Sequence, residues 1–223
     1  MEFRETVRRR RMVRRFDPRV PLPLNVIRDL IDLATRAPSA GFSQGWDYLA
    51  LTGPEQTGEF WTAAATDAPA APDPWLAGLM SAPALVLALA NPTAYLDRYA
   101  EPDKGWTDRS LDHWPIPYWD TDVAMGVMLI LLGAVDAGLG ALFFGVPGKG
   151  HQPVRDAFGI PGDRRIVGVV ALGEALPHPK SPSLRRGRRG VEDVLHVGRY
   201  GEAPRSPSDD RAATVSVLPA PEE

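Results

Sequence analysis

TDVAMGVMLILLGAVDAGLGALFFGV, Thr121 to Val146, decides how this chain folds. Val123 to Ala137 is apolar almost all round and lacks the polar face of a surface helix. A helix over about 121–137 therefore belongs in the centre of a fold or in a subunit interface. Gly138 and Gly140 break the helical pattern, and Leu139 to Val146 follows as a buried strand. The longest apolar stretch, Val123 to Val135, is shorter than the ~20 residues of a bilayer span.

The flanking sequence has the same alternation. Ala84 to Ala90 (ALVLALA) is a continuous apolar run between Pro83 and Asn91-Pro92, the pattern of a strand buried on both faces. Asp47 to Thr52 and Arg165 to Gly173 are further strands, and Gly53-Pro54 reads as a break. Ile27, Leu30, Ile31 and Ala34 give residues 21–37 one apolar helical face, closed by Pro38. Helices are expected over 55–66 and 153–161, and the prolines of 67–75 argue against helix there. Residues 93–121 hold Tyr95, Tyr99, Trp106, Trp114, Tyr118 and Trp119 among charges, an ordered excursion and not a linker. The class is α/β or α+β around a mixed sheet, one domain over 1–200. A tail over 201–223, rich in Pro, Ser and charge, is expected to be disordered.

Composition removes several kinds of chemistry. A chain of 223 residues buries roughly 70% of its unfolded surface and needs no covalent staples. With no cysteine there is no thiolate nucleophile and no Cys-based metal site. The four histidines lack H-x-x-x-H and H-E-x-x-H spacing, so no metal site is expected. A cytoplasmic protein without a membrane partner is the expectation, and the Arg-, Ala- and Pro-rich, Lys-poor composition is that of a GC-rich bacterial genome.

Arginine is concentrated in two runs about 170 residues apart, Arg8 to Arg15 and Arg185 to Arg189, which hold 10 of the 22 arginines. A guanidinium presents a rigid fork of donors suited to carboxylate or phosphate. The net charge of -3 argues against a general basic coat. Spacing alone leaves open a nucleic-acid patch, a solvated charge run and an anion site assembled from both ends.

The order of motifs is more specific. Arg10-Arg11-Met12-Val13-Arg14-Arg15-Phe16 precedes the amphipathic helix, which leads into Ala37-Pro38-Ser39 with Gln44 and Trp46. Asp122 opens the apolar helix that ends in Gly138-Leu139-Gly140. Next come Gly159-Ile160-Pro161, the V-V-A-L-G strand end and Arg188-Arg189 ahead of Val191 to His196. In this order they resemble the FMN-dependent nitroreductase family over about residues 8–200.

The resemblance implies a three-layer α+β fold, with a central mixed sheet flanked by helices, in an intertwined homodimer with FMN at the interface. It implies that Arg10, Arg11, Met12 and Arg14 join Arg186 and Arg188 around the cofactor phosphate and ribityl chain. Were the first run helical, Arg14 would lie one turn beyond Arg10 and face the flavin ring. Arg8, Arg9 and Arg15 are left solvated or paired with carboxylates. Pro38, Ser39 and Ala40, with Gln44 as a weaker candidate, border the ring, as do Phe144 and Gly145 beside Phe143. Phe42, Trp106, Trp114, Tyr118 and Trp119 are the candidate pocket for a small-molecule substrate. No catalytic side chain is implied, because the flavin carries the chemistry.

The implied activity is a ping-pong cycle in which NAD(P)H reduces the flavin and leaves before an organic acceptor, nitroaromatic, quinone or similar, is reduced. No G-x-G-x-x-G follows a strand, so no separate dinucleotide domain is expected. Relatives with the same phosphate grip act as dehydrogenases, oxidases or dehalogenases, and a non-catalytic flavin binder is a further reading. With the family identified, nucleic acid is not an expected partner. Three departures stand out: Met12 where the family usually has serine, Phe42 in place of an asparagine, and Gly45 in place of a proline.

Overall fold

A computed structural model describes residues 2–65 and 72–202. The chain divides into two compact units, Met1–His178 and Pro179–Glu223. In the first unit the helices are α1 (Phe3–Arg9), α2 (Leu24–Ala34), α3 (Gly53–Ala64), α4 (Pro74–Met80), α5 (Pro92–Ala100), α6 (Tyr118–Asp136) and α7 (His151–Phe158). The strands are β1 (Trp46–Thr52), β2 (Ala84–Ala90), β3 (Gly140–Phe144) and β4 (Arg165–Gly173), in the order β1-β2-β4-β3.

β2 is buried along its whole length, as its unbroken apolar run requires. Side chains alternate across a strand, so β2 feeds two cores. Ala84, Val86, Ala88 and Ala90 face one layer with α2, α5 and α6, through Ile27, Leu30, Tyr95, Val123 and Ile130. Leu85, Leu87 and Leu89 face the other with α3, α4 and α7, through Phe60, Leu79 and Val154. Each fully buried Leu or Val contributes about 1.5–3 kcal/mol of burial. The expected three layers, helices–sheet–helices, are therefore present.

Every described pairing is antiparallel, so among the described residues the sheet is antiparallel and not mixed. The reason lies in the connections. Between β1 and β2 the chain makes two helices, not one, and re-enters the sheet at the end it left, where Thr52 pairs with Ala84. A single crossover helix would have given a parallel pair.

Prolines placed some boundaries differently from the sequence reading. Gly53-Pro54 opens α3 instead of breaking the chain, because a proline in the first helical turn forfeits no bond. Pro74 likewise starts α4 inside the segment expected to be non-helical, with Asp73 Oδ1 accepting the Leu76 N–H at 2.7 Å as its cap. Residues 67–71 of that segment, and residue 66 before it, lie outside the described residues. α6 begins three residues earlier than expected, which makes it long and apolar enough to cross a membrane by length and composition. It packs instead on α2 and on β2, β3 and β4, as a core helix does.

The first arginine run is helical only as far as Arg9, so Arg14 is not one turn beyond Arg10. From Arg10 the chain forms an irregular strap along the ends of β3 and β4. Val13 N–H donates to the Ala141 carbonyl at 2.9 Å, Leu176 N–H to the Arg15 carbonyl at 3.0 Å, and Phe16 bridges Ala175. Val13 and Phe16 are its buried anchors, and Phe16 N–H also donates to Ser81 Oγ at 2.9 Å. Asp17 ends the strap, accepting from Arg19 Nη2 at 2.6 Å and Nε at 2.9 Å.

In the second unit, short 3-10 turns at Pro182–Arg186 and Val191–Asp193 flank Gly187. Gly190 N–H donates to Asp193 Oδ2 at 2.9 Å, and Arg189 donates to the Asp193 carbonyl. The tail expected over 201–223 lies outside the described residues from 203 onward.

Two stability measurements check this arrangement. A methyl group on Gly78 of α4 would run into the backbone carbonyl oxygen of Arg14, a neighbour that cannot swing aside. Gly78→Ala is expected to lower the urea-unfolding free energy by about 1–3 kcal/mol. Gly58→Ala in α3, where a methyl meets nothing within 4 Å, should raise it by about 0.5–1 kcal/mol. Bonds from Arg19 hold the Asp17 carboxyl at about 2, below its value of about 3.9 in an unfolded chain. This stabilising contribution is complete above about pH 4 and disappears as pH falls through 2, so an acid titration of the unfolding midpoint should flatten in Asp17→Asn.

Candidate functional site

The strap decides what the first arginine run can do. With Val13 and Phe16 turned into the core, Arg11 and Arg15 are left exposed and Arg10 and Arg14 half-buried. Arg14 Nη1 donates to the Met12 carbonyl at 3.1 Å, which folds its guanidinium back along the strap. Arg10 Nη1 is shielded from solvent and has no hydrogen-bond partner among the described residues. A desolvated cationic donor without an acceptor is costly, and an anion is the group that removes the cost. Arg9 is used differently, in an exposed pair with Glu5 at 3.3 Å. Met12 has no hydroxyl for a phosphate, and its side chain packs against both core layers.

The loop after α2 is held from below. Ser39 Oγ accepts the Gln44 N–H at 2.9 Å, and Ser43 Oγ donates to the Ala40 carbonyl at 2.7 Å, so both hydroxyls act within the loop. Pro38 is exposed, Ser39 and Ala40 are half-buried, and Phe42 stands 74% exposed. The Ala40 N–H donates to Asp122 Oδ2 at 2.9 Å. Asp122 is only 2% exposed and accepts the Tyr95 hydroxyl on the same oxygen at 2.7 Å. Burial, and then the bond to Asp122, keep the Tyr95 hydroxyl protonated far above the ordinary phenol range. Tyr48, on the same side of the sheet, is pushed up to about 12 by burial alone.

On the other side of the sheet a cavity of about 640 Å³ lies among α3, α4 and the residues just after β3. Phe144 and Gly145 line it, with Trp61, Trp75, Leu79 and Met80. Trp61 and Phe144 stack with centroids 5.3 Å apart and planes inclined by 11°, and Trp61 Nε1 is shielded and without a partner among the described residues. The lining is apolar and aromatic with few polar groups, the make-up of a pocket for a planar organic molecule.

The residues expected to contact cofactor and substrate thus fall into separate groups. Phe144 and Gly145 share the cavity. Pro38, Ser39, Ala40 and Phe42 share the loop, whose Ala40 packs on the opposite layer. Trp106 packs tilted and Trp114 edge-on against Tyr99, and Trp114 contacts Tyr118 and Trp119, forming one aromatic cluster on that same layer. Trp114 and Trp119 are buried there, Trp106 is half-buried and Tyr118 exposed, and none of the four lines the cavity. Arg186 and Arg188 are exposed in the second unit.

Three residues of consequence went unremarked as site residues in the sequence: Asp122, Tyr95 and Trp61. Asp122 carried a signal, an acidic residue at the head of an otherwise apolar helix. Among the described residues no cluster of His, Cys, Asp or Glu could hold a metal ion.

The sequence model of the nitroreductase family matches residues 7–174. No curated protein matches the chain. The nitroreductase CinD of Lactococcus lactis, solved in complex with nicotinic acid, is similar in fold with a TM-score of 0.71 at 17% identity, over 89% of this chain and 100% of that one. A nitroreductase family protein of Clostridium novyi NT gives 0.60 at 20% identity, over 91% and 97%. One from Clostridium difficile 630 gives 0.63 at 18%, over 89% and 99%.

Proposed function

Since the chain belongs to the nitroreductase family of oxidoreductases, we propose that it is an FMN-dependent enzyme taking two electrons from NAD(P)H to a small organic acceptor, a nitroaromatic, quinone or similar. The observation that carries this reading is Arg10 Nη1, a shielded guanidinium donor with no acceptor among the described residues. A phosphate beside Arg10, with Arg11 and Arg14 on the same strap, fits that donor set, because charge-assisted bonds to phosphate are among the strong ones. Arg186 and Arg188 are proposed as further phosphate ligands on the strength of the family resemblance alone. When bound, FMN supplies the two-electron redox chemistry that no cluster of side chains here offers.

The side chains bind, orient and exclude water. Phe144, Gly145 and the Trp61 face of the cavity give a flat apolar wall on which a ring system lies, and Trp61 Nε1 is a donor for an acceptor atom at its edge. The missing hydroxyl at Met12 is offset by the arginines around it. The proposed assembly is a homodimer, for a reason internal to the fold. The Pro38–Ala40 loop and the cavity lie on opposite sides of one sheet, so a site using both takes the loop from a second copy. Exposed Met125 and Met128 on α6 and Leu33 on the adjoining α2 supply an apolar surface for that contact.

The spectrum of the purified protein tests the reading. It should be yellow with bound FMN and bleach anaerobically with NADH or NADPH, and a colourless protein that FMN cannot reconstitute would remove the proposal. Arg10→Ala, Arg14→Ala and Arg188→Ala should each raise the Kd for FMN about 10- to 100-fold, the worth of one charged hydrogen bond. Arg9→Ala, which breaks only an exposed pair, should change it by less than about twofold. Equal losses at all four positions would point to general charge instead of a site.

A further inference from the structure

The loop above Asp122 has an uncommon backbone. Gly41, Phe42 and Gln44 have φ of 61°, 55° and 50°, and two of these three residues carry a Cβ. Left-handed backbone at an aromatic residue persists only where the surroundings over-determine it. Here those surroundings can be named. Tyr95, Arg98 and Tyr99 lie on one face of α5 at spacing i, i+3, i+4 and all meet the loop. Arg98 Nε donates to the Gly41 carbonyl at 2.9 Å. The Tyr99 ring occupies the place of a Gly41 side chain, 2.6 Å from where its Cβ would be. The Tyr95 ring likewise fills the side-chain space of Gly45, whose carbonyl accepts the Asn91 N–H at 2.9 Å.

Beneath them Asp122 gathers the ends of this arrangement. Its Oδ2 takes the Ala40 N–H and the Tyr95 hydroxyl, and its Oδ1 takes the Thr121 hydroxyl at 3.3 Å. No cation among the described residues pairs with it, so neutral donors alone compensate the buried carboxyl, and each lost donor leaves an acceptor unsatisfied. The product is a fixed loop from which one ring, Phe42, projects 74% exposed. An apolar contact that is already rigid loses little entropy when a ligand arrives.

We propose that Asp122 and Tyr95 are positioning residues that hold Phe42 as a preset apolar contact for the acceptor, so that acceptor selection depends on a hydrogen bond buried one layer below the surface. This rests on the oxidoreductase reading above. It assigns the discriminating contact to the loop, leaving Trp114 and Trp119 as its buried support.

Tyr95→Phe tests this most cleanly, because it keeps the ring and deletes only the hydroxyl. Amide hydrogen exchange over residues 37–46 should accelerate at Ala40 at least tenfold. With menadione as acceptor, KM should rise about fivefold or more, and by a larger factor than the Kd for FMN. Phe42→Ala should raise the same KM, and Tyr95→Phe added to it should raise it no further. Arg98→Gln, which loses the bond to the Gly41 carbonyl from the half-buried side, provides the same exchange and KM readouts should Tyr95→Phe not fold. Unchanged exchange at Ala40, or additive KM effects of Tyr95→Phe and Phe42→Ala, would overturn the proposal. Flavin-free wild-type protein overturns the oxidoreductase reading and this one with it. A yellow, bleachable wild type with unaltered variants overturns this one alone.

Discussion

A strand whose seven residues are all buried constrains most of this protein's architecture. β2 has no edge and no solvent face, so its backbone groups must be satisfied by β1 on one side and β4 on the other. Its side chains need an apolar layer both above and below. α2, α5 and α6 supply one and α3, α4 and α7 the other. Once the sheet is a partition, any group that must reach both layers has to pass its ends or come from another copy. The cavity beside Phe144 and the loop carrying Phe42 are separated by that partition, and their separation is the physical ground for proposing a two-copy site.

The strap of residues 10–17 shows how the partition also handles charge. Two apolar anchors, Val13 and Phe16, secure a segment that is otherwise mostly arginine, and the guanidinium groups go where the anchors leave them. That puts Arg11 and Arg15 in solvent and withdraws Arg10 Nη1 from it. A guanidinium nitrogen kept from solvent without an acceptor among the described residues lowers stability, and an anion bound there would offset that cost. The same run of residues on a helix would have spread its charges round an axis and concentrated none of them.

Much of this was legible in the sequence, for a specific reason in each case. Ala84–Ala90 and the apolar α6 announce themselves because burial on every side removes the polar positions that a surface element keeps. The order of motifs identified the family without any tertiary contact. What was not legible depends on residues brought together from far apart. Asp122 and Tyr95 are 27 positions apart, and the hydrogen bond between them exists only because α5 and α6 pack on one face of the sheet. The sheet was read as mixed because alternating helices and strands usually mean single crossovers, and the double connection through α4 starts at Pro74, a residue that reads as a helix breaker. Trp61 gave no signal at all: one tryptophan in a weakly patterned helix becomes part of a cavity wall only through its stacking on Phe144.

Met12, Phe42 and Gly45, which read from the sequence as departures from the family pattern, each have a place in the packing. Met12 forgoes a hydroxyl, yet its side chain joins both cores, so the strap is fixed by burial where a serine would fix it by polar bonds. Gly45 and Phe42 are linked. A side chain at 45 would meet the Tyr95 ring, and it would lie only 2.8 Å from the Asn91 carbonyl oxygen. Glycine there lets that ring pass beneath the loop and reach Asp122, and Asp122 in turn holds the Ala40 N–H. With the loop held at that point, an aromatic residue two positions on can occupy left-handed backbone and project outward. Glycine at 45 and phenylalanine at 42 are thus joined through one hydrogen-bonded support, from Tyr95 to Asp122 to the Ala40 N–H.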